Sequence, residues 1–147
     1  CPFCARGYNT MKQVLEAYPT QVRVLFKHLP LDFHPNALPA AKAFEAIALQ
    51  GHDKAYKFHD IVFENQGELK QKGMAFLREA AKRAGADVKK FEKDMADSKI
   101  AERINADTEE AKKFGISGTP GFIINGVSLK GAYPFEEFKE IIDRHLA

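Results

Sequence analysis

Cys1-Pro2-Phe3-Cys4 holds both cysteines of the chain, and the residues after it are patterned as a helix that ends at Tyr18 before Pro19. Ala5, Met11, Val14, Leu15 and Tyr18 fall near one face, with Lys12 and Glu16 on another. The spacing predicts a helix over 4–18 with Cys1 at its N-terminus. Orphan backbone N–H groups and the positive end of the helix dipole favour a thiolate there over a thiol. Pro2 suits the first turn because it has no N–H to leave unpaired. Cys4 lies one turn further on the same side, close enough to close a disulfide with Cys1. A bridge around so short a loop removes little entropy from the unfolded chain, so it is a poor staple and a natural redox couple. A thiol held at a pKa of about 5 instead of about 8.5 stabilises the reduced form at pH 7 by about 2.7 kcal/mol, or about 60 mV toward oxidising.

A metal site is the weaker use of such a pair. A closed structural zinc site needs about four ligands, and no second Cys pair or closely spaced His pair supplies the rest. His28, His34, His52 and His59 have no ligand spacing among themselves or with the cysteines, so they read as core or surface histidines and no metal is expected.

Downstream, Gln21–Leu29 alternates as a strand, with Val22, Val24 and Phe26 on one side and Arg23, Leu25 and Lys27 on the other, ending at Pro30. Apolar residues on both sides predict that both are covered. Helical spacing then dominates from about 36 to 114. Leu38, Ala41, Phe44, Ala48 and Leu49 form one stripe, and Asp53 is placed to cap a helix carrying Phe58, Ile61 and Val62. Phe76, Leu77, Ala80 and Ala84 form a third stripe, Val88, Phe91 and Met95 a fourth, and Ile100, Ile104, Ala111 and Phe114 one or two more. The last third changes character. Gly118-Thr119-Pro120-Gly121 leads into Phe122-Ile123-Ile124, then Asn125-Gly126, then Val127-Ser128-Leu129, and Asn-Gly between short apolar runs is a strong hairpin signal. Pro134 opens a closing helix with Phe135, Phe138, Ile141 and Ile142.

A chain of 147 residues with 45% hydrophobic content suits one globular domain, which excludes disordered and disulfide-scaffold classes. The 22 Lys and Arg against 20 Asp and Glu leave +2 with signs interleaved, so no field draws nucleic acid. No apolar run reaches the roughly 20 residues of a membrane helix, and no basic, apolar leader opens the chain, so neither membrane insertion nor export is read from it.

The order helix, strand, helical block, hairpin, helix, with Cys1–Cys4 at one end and Thr119-Pro120 at the other, resembles the DsbA-like branch of the thioredoxin superfamily. The run Phe114-Gly115-Ile116-Ser117-Gly118-Thr119-Pro120-Gly121-Phe122 followed by Asn125-Gly126 carries the likeness further. The resemblance implies an α/β thioredoxin-like fold over 1–147 as one domain with a helical insertion at about 36–114. It implies a protein disulfide oxidoreductase whose only redox group is the Cys1–Cys4 couple, with no cofactor. Cys1 is then the attacking thiolate and Cys4 the resolving thiol, Pro2 and Phe3 tune Cys1, and Thr119 with a cis Pro120 binds substrate backbone. The implied partners are cysteine-containing protein substrates and an upstream redox partner. The implied location is periplasmic or otherwise extracytoplasmic, where disulfides persist. Among directions of exchange, oxidation is expected first, with isomerisation or reduction as alternatives. A non-catalytic peptide- or Cu(I)-binding domain is the reading from another class, since paired thiolates are soft ligands. The family's strand leading directly into the cysteine motif has no counterpart in this chain, and residues upstream of Cys1 are the expected source of it.

Overall fold

The computed structural model describes residues 1–147. Helix α1 runs Pro2–Ala17, with Pro2 in the first turn and Cys1 as the residue that caps it. The Cys1 carbonyl accepts from the N–H groups of Cys4 and Ala5 at 3.1 and 3.2 Å, which closes the first turn around the cysteine motif. Asn125 and Gly126 both have positive φ, 47° and 90°, as a two-residue hairpin turn demands. They join β1 (Gly121–Ile124) to β2 (Val127–Lys130) in antiparallel register, Phe122 opposite Leu129. After Pro134 the chain enters α8 (Phe135–Leu146), with Glu136 and Glu137 in its first turn and Arg144 and His145 in its last, each on the side the helix dipole favours.

The chain divides into two compact units, 1–27 with 110–147, and 28–109. In the first, Val14 and Tyr18 of α1 meet Phe138 and Ile142 of α8, and Phe122, Ile124 and Leu129 of the hairpin pack against them. Phe122 sets its ring edge-on to Phe138, with centroids 4.8 Å apart. The Tyr18 hydroxyl and the Lys139 ammonium both donate to the Asp143 carboxylate. Lys139, and after it Tyr18, hold that carboxyl below its usual range, while the same hydrogen bond raises the Tyr18 hydroxyl.

The expected strand over 21–29 does not form, and the sheet has only β1 and β2. The side chains still alternate there, with Val22, Val24 and Phe26 half-buried and Arg23, Leu25 and Lys27 exposed. A ladder needs a neighbour, and residues 1–147 place no strand beside this run. For the same reason its second side is uncovered, and Leu25 is 58% exposed against the expectation of cover on both sides.

The second unit is helical: α2 (Ala37–Ala48), α3 (His52–Glu64), α4 (Gln66–Lys72), α5 (Met74–Arg83), α6 (Val88–Met95) and the greater part of α7 (Ser98–Lys113). Its core is small and aromatic, built on Ala43, Ala46, Ile47, Phe58, Phe76, Leu77 and Phe91. Two details differ from the sequence reading. Ala41 and Phe44 of the expected α2 stripe are buried, but Leu38 and Leu49 are exposed, and Ala43, Ala46 and Ile47 turn inward as well. Asp53 sits in the first turn of α3 but does not cap it; Gly51 occupies the cap, and Asp87, whose side chain accepts from the Lys90 N–H at 3.1 Å, caps α6.

Candidate active site

The site is assembled by α1 and the loop that enters β1. Cys1 and Cys4 are both half-buried thiols, not joined by a disulfide. The Cys1 Sγ lies 3.8 Å from the Thr119 carbonyl oxygen, 118 residues away in sequence. The Thr119–Pro120 peptide is cis. Thr119 and Pro120 are half-buried, Pro2 is exposed, and Phe3 is 56% exposed with the Arg6 guanidinium over its ring at 5.5 Å. Of the six residues, Cys1 and Thr119 meet directly, and the loop that carries Thr119 and Pro120 stands beside the Cys1 sulfur.

Two contacts hold that loop in place, and the sequence reading missed both. Gly7, one turn beyond Cys4, has no side chain where a Cβ would stand 3.0 Å from Phe122 Cζ and 3.3 Å from Pro120 Cγ. A glycine inside an otherwise good helical pattern is the signal that pointed to such an approach. Ile116, 6% exposed, lies so close over Gly121 that a Cβ there would meet its Cγ2 at 2.5 Å. The Ile116 N–H in turn donates to the Ala111 carbonyl at 2.9 Å, tying the loop to the end of α7. Phe122 is partly buried and packs against the core formed by α1 and α8.

The loop and the end of β2 enclose a groove of about 200 Å³, lined by Gly115–Pro120, Lys130 and Gly131. An extended peptide laid along the Thr119 backbone would pass both Cys1 and this groove, since Thr119 borders each of them.

A family profile described as thioredoxin matches residues 1–144. The chain belongs to the thioredoxin family. Two solved thioredoxin-like structures share its fold. A thioredoxin-like oxidoreductase from Silicibacter pomeroyi DSS-3 matches 99% of this chain and 80% of its own with a TM-score of 0.85 at 24% identity. The thiol-disulfide exchange protein alpha-DsbA2 from Wolbachia pipientis matches 99% of this chain and 76% of its own with a TM-score of 0.86, also at 24% identity. In sequence, this thioredoxin-family chain is 38% identical over 137 residues to a protein named Na(+)/H(+) antiporter NhaA 3 from Salinispora tropica, covering 92% of the chain and 20% of that protein. The chain spans about a fifth of the length of the curated relatives it matches. None of its helices is long and apolar enough to cross a membrane.

One cluster in the second unit brings together residues that the sequence left as isolated. His28 Nε2 lies 3.0 Å from Glu45 Oε1, and its backbone N–H donates to Asp107 Oδ2 at 3.1 Å. Arg103 donates to Asp107 Oδ1 at 2.6 Å. His28, Glu45 and Asp107 hold ligand-type atoms within 4.8 Å of one another. The His28 ring is engaged by Glu45, and the two Asp107 oxygens accept from Arg103 and from the His28 backbone, so the set reads as a satisfied network. Arg103 and Asp107 are an i,i+4 pair on α7, but no local spacing brings His28 and Glu45 to them. Nearby, burial pushes the His59 imidazole below its usual range, only partly offset by Asp60.

Proposed function

We propose that this chain is a thiol-disulfide oxidoreductase acting on cysteines of protein substrates, and that it works as an oxidant. The observation that carries the reading is the meeting of the Cys1 sulfur with the Thr119 carbonyl at 3.8 Å, at the start of α1. It sets the reacting atom beside a backbone edge on which a peptide can lie. Membership in the thioredoxin family supports the same reading.

In the oxidising direction Cys1 and Cys4 begin as a disulfide. A substrate thiolate attacks Cys1 Sγ, the Cys1–Cys4 bond breaks, and Cys4 leaves with the electron pair, so enzyme and substrate are joined through Cys1. A second substrate thiolate then attacks the substrate sulfur of that bond and displaces Cys1 as a thiolate. The substrate has lost two electrons and formed a disulfide, and the enzyme is the dithiol. The helix start favours this last step, because the departing Cys1 thiolate is stabilised by the N–H groups and dipole there. An upstream redox partner must take the two electrons back out. No cofactor enters. Disulfide formation of this kind belongs outside the cytoplasm, and an extracytoplasmic location is part of the proposal.

Two measurements test it. Replacing Cys1 with Ser should abolish exchange with a dithiol peptide, and in a Cys4→Ala protein the Cys1 thiolate should open a disulfide-bonded peptide and hold it as a mixed disulfide, visible by mass. The reduction potential of the couple decides direction: about −120 mV fits the oxidant, and about −270 mV, that of reducing thioredoxins, rejects it.

A further inference from the structure

The groove beside Thr119 has one charged group in its lining, Lys130, and no acidic one. Lys130 is exposed, and no hydrogen bond or ion pair engages its side chain. Its ammonium is nevertheless placed. Gly115 has a φ of +72°, and a Cβ there would lie 3.2 Å from Lys130 Nζ, so the lysine folds back over a residue that has no side chain to push it away. Gly115, Gly118 and Gly131 leave that part of the wall without side chains, and the groove is open to whatever a bound peptide inserts.

An extended peptide advances about 3.3 Å per residue and points alternate side chains to the same side. With its cysteine at Cys1 and its backbone along Thr119, the side chain of a residue within two positions of that cysteine reaches the groove. An ammonium offers three donors and no acceptor, so the side chain it receives must bring acceptors, and a carboxylate brings them with the opposite charge. We infer that Lys130 makes this groove select protein substrates with an Asp or Glu within two residues of the reacting cysteine. This rests on the thiol-disulfide reading above and adds to it a substrate class.

The test uses four dithiol peptides identical but for Glu, Gln, Ala or Lys two residues from the cysteine, with kcat/KM measured for the whole chain. Two variants, Lys130→Met and Lys130→Glu, are measured alongside. The expected order for the native protein is Glu over Gln and Ala over Lys, with about two- to five-fold between Glu and Gln, the scale of an exposed ion pair. The order should flatten in Lys130→Met and invert in Lys130→Glu, and the native preference should shrink at 0.5 M salt. Lys130 also lies near the C-terminal end of α7, where a cation stabilises the helix. If that were its whole role, the variants would lose stability while the order stayed the same in all three proteins, and the inference would fail. Equal rates for all four peptides in the native protein would also overturn it while leaving thiol exchange intact. Exchange with none of them would overturn both readings.

Discussion

Gly7 is where the site can be disturbed without touching a sulfur. Replacing it with Ala places a methyl 3.0 Å from Phe122 Cζ and 3.3 and 3.4 Å from two atoms of the Pro120 ring, where ordinary contact begins at 3.4 Å. The neighbours must yield by a few tenths of an ångström. Phe122 is backed by the Phe138 ring, and Pro120 is held by its own backbone, so neither gives freely. Alanine is the better helix former by about 1 kcal/mol, whereas forcing a methylene into a packed contact costs about 1–3 kcal/mol. The net expectation is a loss of up to about 2 kcal/mol, read as a lower urea midpoint. The larger effect falls on activity. Moving the loop away from α1 lengthens the 3.8 Å approach of Thr119 to Cys1, and since an error of about 1 Å costs about a hundredfold in rate, a few tenths should cost roughly three- to tenfold in kcat/KM with a dithiol peptide. Gly7→Val should cost more on both counts. A Gly7→Ala protein that gains the full helix-forming benefit and exchanges thiols at the native rate would show that close packing of α1 on the loop does not position the site.

Three further outcomes follow from the same contacts. Gly121→Ala sets a methyl against Ile116 at 2.5 Å and should cost about 1–3 kcal/mol in chemical denaturation, with Ile116→Ala in the same chain restoring part of it. Asp107→Ala removes an acceptor from the buried His28 N–H and from the Arg103 guanidinium and should cost about 1.5–3 kcal/mol, with little effect on thiol exchange. His59 is held below the 6.5 of an ordinary histidine, so the unfolded chain takes up the proton first. Its contribution is therefore whole above about pH 6.5 and is lost as pH falls toward the folded value. His59→Phe should show a smaller drop in urea midpoint between pH 7.5 and 5, and an unchanged drop would assign the acid sensitivity to other groups.

Much of this protein is legible residue by residue. The cysteine motif at a helix start, the Asn125-Gly126 turn and the closing helix after Pro134 follow from short-range rules: a missing N–H, a positive φ, an apolar period of 3.6. These depend on a few neighbouring residues, and the structure keeps them. The run from 21 to 29 shows where local rules stop. Its side chains alternate as in a strand, but a strand is a relation between two segments, and hydrogen-bond partners are not encoded in the run itself. The α2 stripe held at Ala41 and Phe44 and lost Leu38 and Leu49 for a related reason, because a helix touched on several sides also buries Ala43, Ala46 and Ile47, which a single stripe leaves out.

What the chain's order of residues determined alone is the chemistry: two sulfurs one helical turn apart, and a turn and a hairpin with the backbone shapes that glycine, proline and asparagine impose. Tertiary structure decided the rest. The approach of Thr119 to Cys1 depends on empty space at Gly7 and Gly121, the placement of Lys130 on empty space at Gly115, and the His28–Asp107 network on a meeting across 79 residues. Such features are made by pairs of segments that fit together, and no single stretch of sequence contains a pair.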